Sequence, residues 1–240
     1  MKIIDNPRCK LNPHEFISVE RPKNQIILHH TVGGGNPFNV ANWWNTQSGR
    51  IGTAFVIAGH EDTTKAYKDG DIFRLFDEKF YAWHVNARIR NAERIEMQSI
   101  GIEICNYGAL QRRPNGTYFA LISKNPLRVV NIPTDQVVDV GFDFRGTRYY
   151  HKYTDKQLKS LTDLLAFLCK EYEIPTNYNN LFIPSKAATD GARGIWGHCN
   201  FRADKSDVSP QPILIDVLQT FGQLQRELRK EEIDEIIKSK

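Results

Sequence analysis

The sequence predicts an α/β (α+β) fold, a single domain in which a central mixed β-sheet is flanked by helices. Three observations carry this. Short strand-like segments come between helical ones along the chain, the signature of a layered fold. At 240 residues the chain is long enough to bury one substantial core. No compositional shift or Gly/Ser-rich linker divides it, so one domain with a tail is the simplest organisation.

Taken in order, "NQIILHH" over residues 24–30 reads as the first strand, ended by the permissive "TVGGG". "NVANWWNTQ" (39–47) reads as a short amphipathic helix and "GTAFVIAG" (52–59) as a strand. "YKDGDIFRLF" (67–76) is a turn leading into another strand. In "SIGIEICNYG" (99–108), Ile100, Ile102 and Ile104 fall on one side of a strand and Gly101, Glu103 and Cys105 on the other. Residues 109–150 mix short aromatic and β-branched pieces with turn signals and read as an inserted, hairpin-like excursion.

The clearest helix spans 155–173. Thr154 and Gln157 make a capping box, Leu158, Leu161, Leu165 and Leu168 recur at helical spacing, and Pro175 closes the segment. The chain ends in a charged helix over 212–238. Its apolar residues Ile213, Leu214, Val217, Leu218, Phe221 and Leu224 pack on the domain, and "RELRKEEIDEIIKSK" extends into solvent. The expected division is therefore a main unit over 1–215, with the insertion at about 109–150, and a charged helix over 216–240.

Composition excludes several function classes. A net charge of +4 suits an anionic partner such as a cell-wall polymer but is too weak for nucleic acid, and no basic run interleaves with aromatics. No window is apolar enough to span a membrane, and "MKIIDNPRCKLNPHEF" lacks the apolar stretch of a signal peptide. Cys9, Cys105, Cys169 and Cys199 are scattered with no CxxC pair, which excludes a cysteine-rich zinc knuckle; Cys105 and Cys169 sit in apolar patterns as small core residues.

The polar segment "GHCNFRADKSDVSP" (197–210) is the richest in chemistry. Lys205 and Asp207 are two apart and can point the same way in an extended loop. His198 with Asp207, joined by a histidine from the 24–30 strand, would make three protein ligands with an open fourth position, the pattern of a catalytic zinc site. Alternation does not choose between His29, which shares a face with Ile27, and His30, which shares one with Ile26 and Leu28. Glu103 either faces solvent or lines a site.

"IILHHT", "AWHVN", "SIGIEICNYG", the 153–175 helix and "GHCNFRADKSDVSP" occur in an order that resembles zinc-dependent N-acetylmuramoyl-L-alanine amidases. This type-2 group includes phage lysozyme-like enzymes, AmpD-like enzymes and peptidoglycan recognition proteins. The resemblance spans about residues 24–215 and implies an amidase/recognition-protein fold. It implies that His29, His198 and Asp207 hold Zn2+, that Glu103 is the general base, and that Lys205 stabilises the oxyanion. His84, in "AWH", would line the substrate groove. The implied reaction cleaves between the lactyl group of N-acetylmuramic acid and L-alanine of the stem peptide, in peptidoglycan or a soluble muropeptide.

Two local departures stand out: Thr53 and Ala54 replace an aromatic–His pair, and Asp207-Val208-Ser209-Pro210 replaces the usual Asp-Pro-Gly. The rival from another class is a non-catalytic peptidoglycan-binding module on the same fold. The absence of a leader suits an enzyme that stays in the cytoplasm until released to the wall, as a phage endolysin does, or a cytoplasmic recycling enzyme.

Overall fold

In a computed structural model of the chain, residues 1–60, 66–90 and 92–238 are described, with side chains to residue 231. The elements in order begin with β1 (Ile3–Ile4), β2 (Gln25–His30), α1 (Pro37–Trp44), β3 (Phe55–Ile57), β4 (Ile72–Arg74), α2 (Glu93–Gln98) and β5 (Ser99–Ile104). The region after β5 holds β6 (Ala109–Arg112), β7 (Tyr118–Lys124), β8 (Leu127–Ile132), β9 (Val137–Phe144) and β10 (Thr147–His151). Then come α3 (Asp155–Glu171), α4 (Lys186–Thr189), β11 (Gly194–Gly197) and α5 (Pro212–Lys238).

Among the described residues, the central sheet has six strands in the order β1-β4-β3-β5-β2-β11. It is mixed, as expected: β3, β5, β2 and β11 run parallel, and β4 runs antiparallel to β3. Its two faces differ. Ile26, Leu28, Ile100, Ile102, Ile104 and Ile195 belong to the main core with α3 residues Leu158, Leu161, Leu164, Leu165 and Leu168. Ile27 and Trp196 belong instead to a smaller cluster with Val85, Ile95 and Phe201. That thinner side is where polar side chains gather.

Local signals explain the helix ends. Asn36 accepts from the N–H groups of Phe38 and Asn39, with Pro37 at the first helical position, so α1 starts two residues before the apolar pattern does. The capping box of Thr154 and Gln157 opens α3 as predicted. The first turns of α5 bury Leu214, Leu218 and Phe221, whereas Leu224 is 50% and Leu228 45% exposed, so the helix leaves the domain there. No described helix is long and apolar enough to cross a membrane.

The 109–150 excursion is larger than a hairpin. It forms a five-stranded sheet, in the order β8-β7-β6-β10-β9, around a small cluster of Leu110, Ala120 and Ile132. β9 and β10 turn through Arg145 (φ +57°) and Gly146 (φ +89°), the paired left-handed conformations of a tight two-residue hairpin. Its strands are half exposed and lack strict alternation, so the sequence pattern understates them.

This sheet is tied to the central one at the end of β10. The carbonyl of His151 accepts from Asn106 Nδ2 (3.0 Å) and Gln211 Nε2 (2.8 Å), while its ring Nδ1 accepts from the N–H of Tyr107 (3.3 Å). Burial, with the nearby His60 and His30 rings, pushes the His151 imidazole down from 6.5 to about 3. The unfolded chain therefore takes up a proton near pH 6.5 that the native protein refuses until about pH 3. Stability from this group is complete above pH 6.5 and falls as pH drops from there towards 3, by up to about 1.4 kcal/mol per pH unit. Calorimetry from pH 7.5 to 4.5 should show a shallower fall of Tm in His151→Gln than in the native chain; parallel curves would remove His151 from the acid response.

Candidate metal centre

The parallel register sets the site. His29 of β2 pairs with Glu103 of β5, and Leu28 pairs with Gly197 of β11, so the next residue, His198, lies beside His29. Three residues thus stand side by side at the carboxyl ends of adjacent strands, the edge where ligands bind in open α/β sheets. A loop brings Asp207 back to them. Cys199 Sγ lies 3.1 Å from the Lys205 carbonyl, and the N–H of Ser209 donates to Tyr153 Oη (3.3 Å), which contacts His30 Nδ1 (2.8 Å). His30 therefore points into the core side and anchors the loop, while His29 faces the site. The chain leaves Asp207 through a cis peptide to Val208.

His29 Nδ1 and His198 Nδ1 are 3.1 Å apart, and Asp207 Oδ2 lies 3.0 Å from the first and 2.9 Å from the second. The fixed acceptors around them determine where the ring protons sit. Ser99 Oγ donates to the Ile95 carbonyl (2.7 Å), since a carbonyl can only accept. Ser99 Oγ must then accept from His84 Nε2, 2.8 Å away. Burial holds the His84 imidazole well below its ordinary value, so the ring is neutral and its Nδ1 is an acceptor. His84 Nδ1 lies 2.9 Å from His29 Nε2, which therefore carries the His29 proton. Burial likewise pushes His29 down to about 4 and keeps it neutral, leaving a bare lone pair on Nδ1. His198 Nε2 is 2.9 Å from the Val85 carbonyl and must donate there, so in the neutral ring its Nδ1 is bare as well.

With both rings neutral, two imidazole lone pairs and a carboxylate oxygen converge with no proton among them. That arrangement is repulsive by itself and fits a cation. A tetrahedral zinc centre with bonds of about 2.0–2.1 Å has donor–donor edges of roughly 3.3 Å, within a few tenths of the observed separations. Two imidazoles and one carboxylate are a borderline donor set that suits zinc better than magnesium or calcium, which prefer oxygen. Among the described residues, this is the one group of three or more His, Cys, Asp or Glu side chains close enough to hold a metal.

Glu103 is 8% exposed. Burial raises its carboxyl well above the usual range, Asp207 raises it further, and the Lys205 ammonium opposes both. Lys205 is half-buried on the same loop as Asp207, and its charge reaches both Glu103 and His29. His84, expected along the substrate groove, has its side chain 5% exposed and stands behind His29. Sequence reading missed Ser99 and Glu96. Glu96 is fully buried and accepts from the N–H groups of His84 (3.0 Å), Val85 (3.1 Å) and Asn86 (2.7 Å), bonds that hold its carboxyl down against the larger upward push of burial. In "NAERIEMQ" it looks like any other charged residue of a surface helix.

Residues 20–212 match the family model described as N-acetylmuramoyl-L-alanine amidase. Among solved structures, the chain is similar to PlyL at 14% identity, covering 91% of this chain and 98% of that one, with a TM-score of 0.49. It is similar to the N-acetylmuramoyl-L-alanine amidase LysC from Clostridium intestinale at 16% identity, covering 88% and 91%, with a TM-score of 0.46. It is also similar to AmpDH3 from Pseudomonas aeruginosa in complex with anhydromuramic pentapeptide, at 19% identity, covering 90% and 66%, with a TM-score of 0.47. No curated protein sequence matches it. The chain belongs to the N-acetylmuramoyl-L-alanine amidase family.

A cation at the three donors should stabilise the fold by mass action. At a hundredfold excess over its dissociation constant, zinc should add about 2.7 kcal/mol, or roughly 5–10 °C in Tm for a chain this size. Magnesium at the same concentration should add nothing. Asp207→Ala should abolish the zinc shift in a thermal-shift titration, and a zinc shift retained in that variant would place the ion elsewhere.

Proposed function

We propose that this amidase hydrolyses the bond between the lactyl group of N-acetylmuramic acid and the L-alanine of the stem peptide at a zinc ion held by His29, His198 and Asp207. The observation that carries this is the convergence of three proton-free donors at a point where Glu103 stands in register with His29. When bound, such an ion polarises the scissile carbonyl and lowers the pKa of the attacking water.

The chain's own residues do the rest. Glu103 takes the proton released as water adds to the carbonyl and delivers it to the departing alanine nitrogen. A buried carboxyl with a raised pKa is suited to both halves of that transfer, because a proton shuttle works best near the ambient pH. The Lys205 ammonium lies on the loop that carries Asp207 and offsets the negative charge that develops on the carbonyl oxygen. With their ring protons on Nε2, His29 and His198 would present Nδ1 lone pairs to such an ion.

Residues 1–215 form the catalytic unit in this reading, with the five-stranded sheet inserted at 109–150 and the outer turns of α5 as a charged extension. The setting is a lytic enzyme acting on the polymeric wall, since the inserted sheet and the extension exceed what hydrolysis of a small soluble fragment requires.

Mass spectrometry of zinc-loaded protein incubated with purified peptidoglycan, and separately with a soluble muropeptide, tests the reading. Intact stem peptide with a free L-alanine amine is the expected product, formed faster from the polymer. Glu103→Gln should lower kcat by about 10²–10⁴, and Lys205→Ala by about 10²–10³, both with zinc affinity within a fewfold of native. No cleavage of either substrate by protein with zinc bound would support the non-catalytic binding module instead.

A further inference from the structure

Residues 84–86 touch both ring donors at once. The His84 ring receives the Nε2 proton of His29 (2.9 Å), and the carbonyl of the next residue, Val85, receives that of His198 (2.9 Å). Nothing in this short irregular segment holds it in place through regular secondary structure. Its three consecutive backbone N–H groups are gathered by one side chain from elsewhere. Glu96 accepts the consecutive N–H groups of His84, Val85 and Asn86 on a single carboxylate.

We propose that Glu96 is a positioning residue for both histidines of the metal centre: its carboxylate gathers residues 84–86, and that segment keeps the His29 and His198 protons on Nε2, so both Nδ1 lone pairs face the metal. The zinc half of this statement rests on the function proposed above; the proton placement does not.

Four observations support the assignment. Asn86 adopts φ +49°, which lets a third successive N–H turn inward and completes an anion-binding concavity of the kind formed by consecutive backbone amides. The carboxylate is fully buried, where no water competes for those donors. Glu96 does not act as an ion-pair partner of His84, because the Nε2–Oε2 distance is 3.8 Å and that proton goes to Ser99 Oγ at 2.8 Å. Finally, space is reserved for the ring. A Cβ on Gly101 would lie 3.0 Å from His84 Nδ1 and 2.7 Å from Thr53 Cγ2, so β5 has no side chain where the His84 imidazole must pack.

The geometry also rigidifies the device. Glu96 and Ile95 lie on α2, which runs directly into β5, where Ser99 follows. One helix–strand junction therefore provides the carboxylate, the hydroxyl that fixes His84, and the carbonyl that fixes that hydroxyl. A glutamine at 96 would not substitute. It offers one acceptor oxygen, and its NH₂ would face backbone N–H groups.

Nitrogen-15 NMR of the histidine rings in metal-free protein reads the proposal directly. Native protein should show His29 and His198 as single Nε2–H tautomers. In Glu96→Gln both rings should become tautomer mixtures, and zinc affinity, measured by competition with a chromophoric chelator, should fall by about 10–100-fold, with circular dichroism unchanged. Native tautomers and zinc affinity within twofold of native in that variant would overturn the proposal. Should Glu96→Gln not fold, Ser99→Ala decides: it should mix the His29 tautomers and leave His198 unchanged, since the Val85 carbonyl is untouched. An unaltered His29 ring in Ser99→Ala would overturn the proposal. If native protein shows the expected tautomers but binds no zinc, the metal reading fails while the clamp stands.

Discussion

The in-register parallel pairing of β2 with β5 and β11 is the constraint on which the site depends. Parallel strands in register place partner residues at the same height and on the same face. His29 opposite Glu103, and Gly197 opposite Leu28, therefore make a row of functional groups out of pairs 74 and 169 residues apart along the chain. A shift of one residue in β2 would turn His29 into the aliphatic core and bring His30 to the site. The core prevents that slip, because Ile26 and Leu28 would then have to face the polar side. Strand register and the packed core together thus set which histidine faces the site.

Within that frame the site is specified by acceptors that cannot change role. The carbonyls of Ile95 and Val85 accept only, and each fixes a chain of donors that ends at a bare nitrogen. The preparation of a cation site is therefore a matter of proton placement as much as of distance. Buried neutral histidines suit this, because desolvation keeps the ring uncharged and the remaining proton is set by a single neighbour.

Much of the fold was legible in the sequence because periodicity and capping agreed. The Leu158–Leu168 stripe behind Thr154 gave α3, and the isoleucine alternation gave β5. The choice of His29 over His30 was not legible from alternation, since both continue buried patterns; it came only through family resemblance and is consistent with the two core clusters. The insertion was legible as a hairpin-like excursion but not as a five-stranded sheet, because its strands bury few residues, as in β9, where Val140 and Phe144 are the buried ones. Glu96 and Ser99 escaped for a different reason. Their roles exist only through backbone atoms of residues 84–86 and a side chain that is itself one step removed from the metal donors, and no spacing rule records such an arrangement.

The two faces of the central sheet divide stability from function. On one, α3 packs leucines on isoleucines, a contact whose strength comes from area and shape and that tolerates no polar atom without a partner. On the other, Ser99, His29, His84 and Glu96 occupy a thin layer in which each polar group depends on the next. Converging lone pairs repel one another, so this layer is not what holds the fold together. It can exist because the opposite face is sufficient. Substitutions on the leucine face should therefore act on folding and leave the donor geometry of surviving molecules intact, whereas changes in the polar layer should act on the donors first. That separation follows from the sheet itself, whose alternating side chains send neighbouring residues such as Leu28 and His29 to opposite tasks.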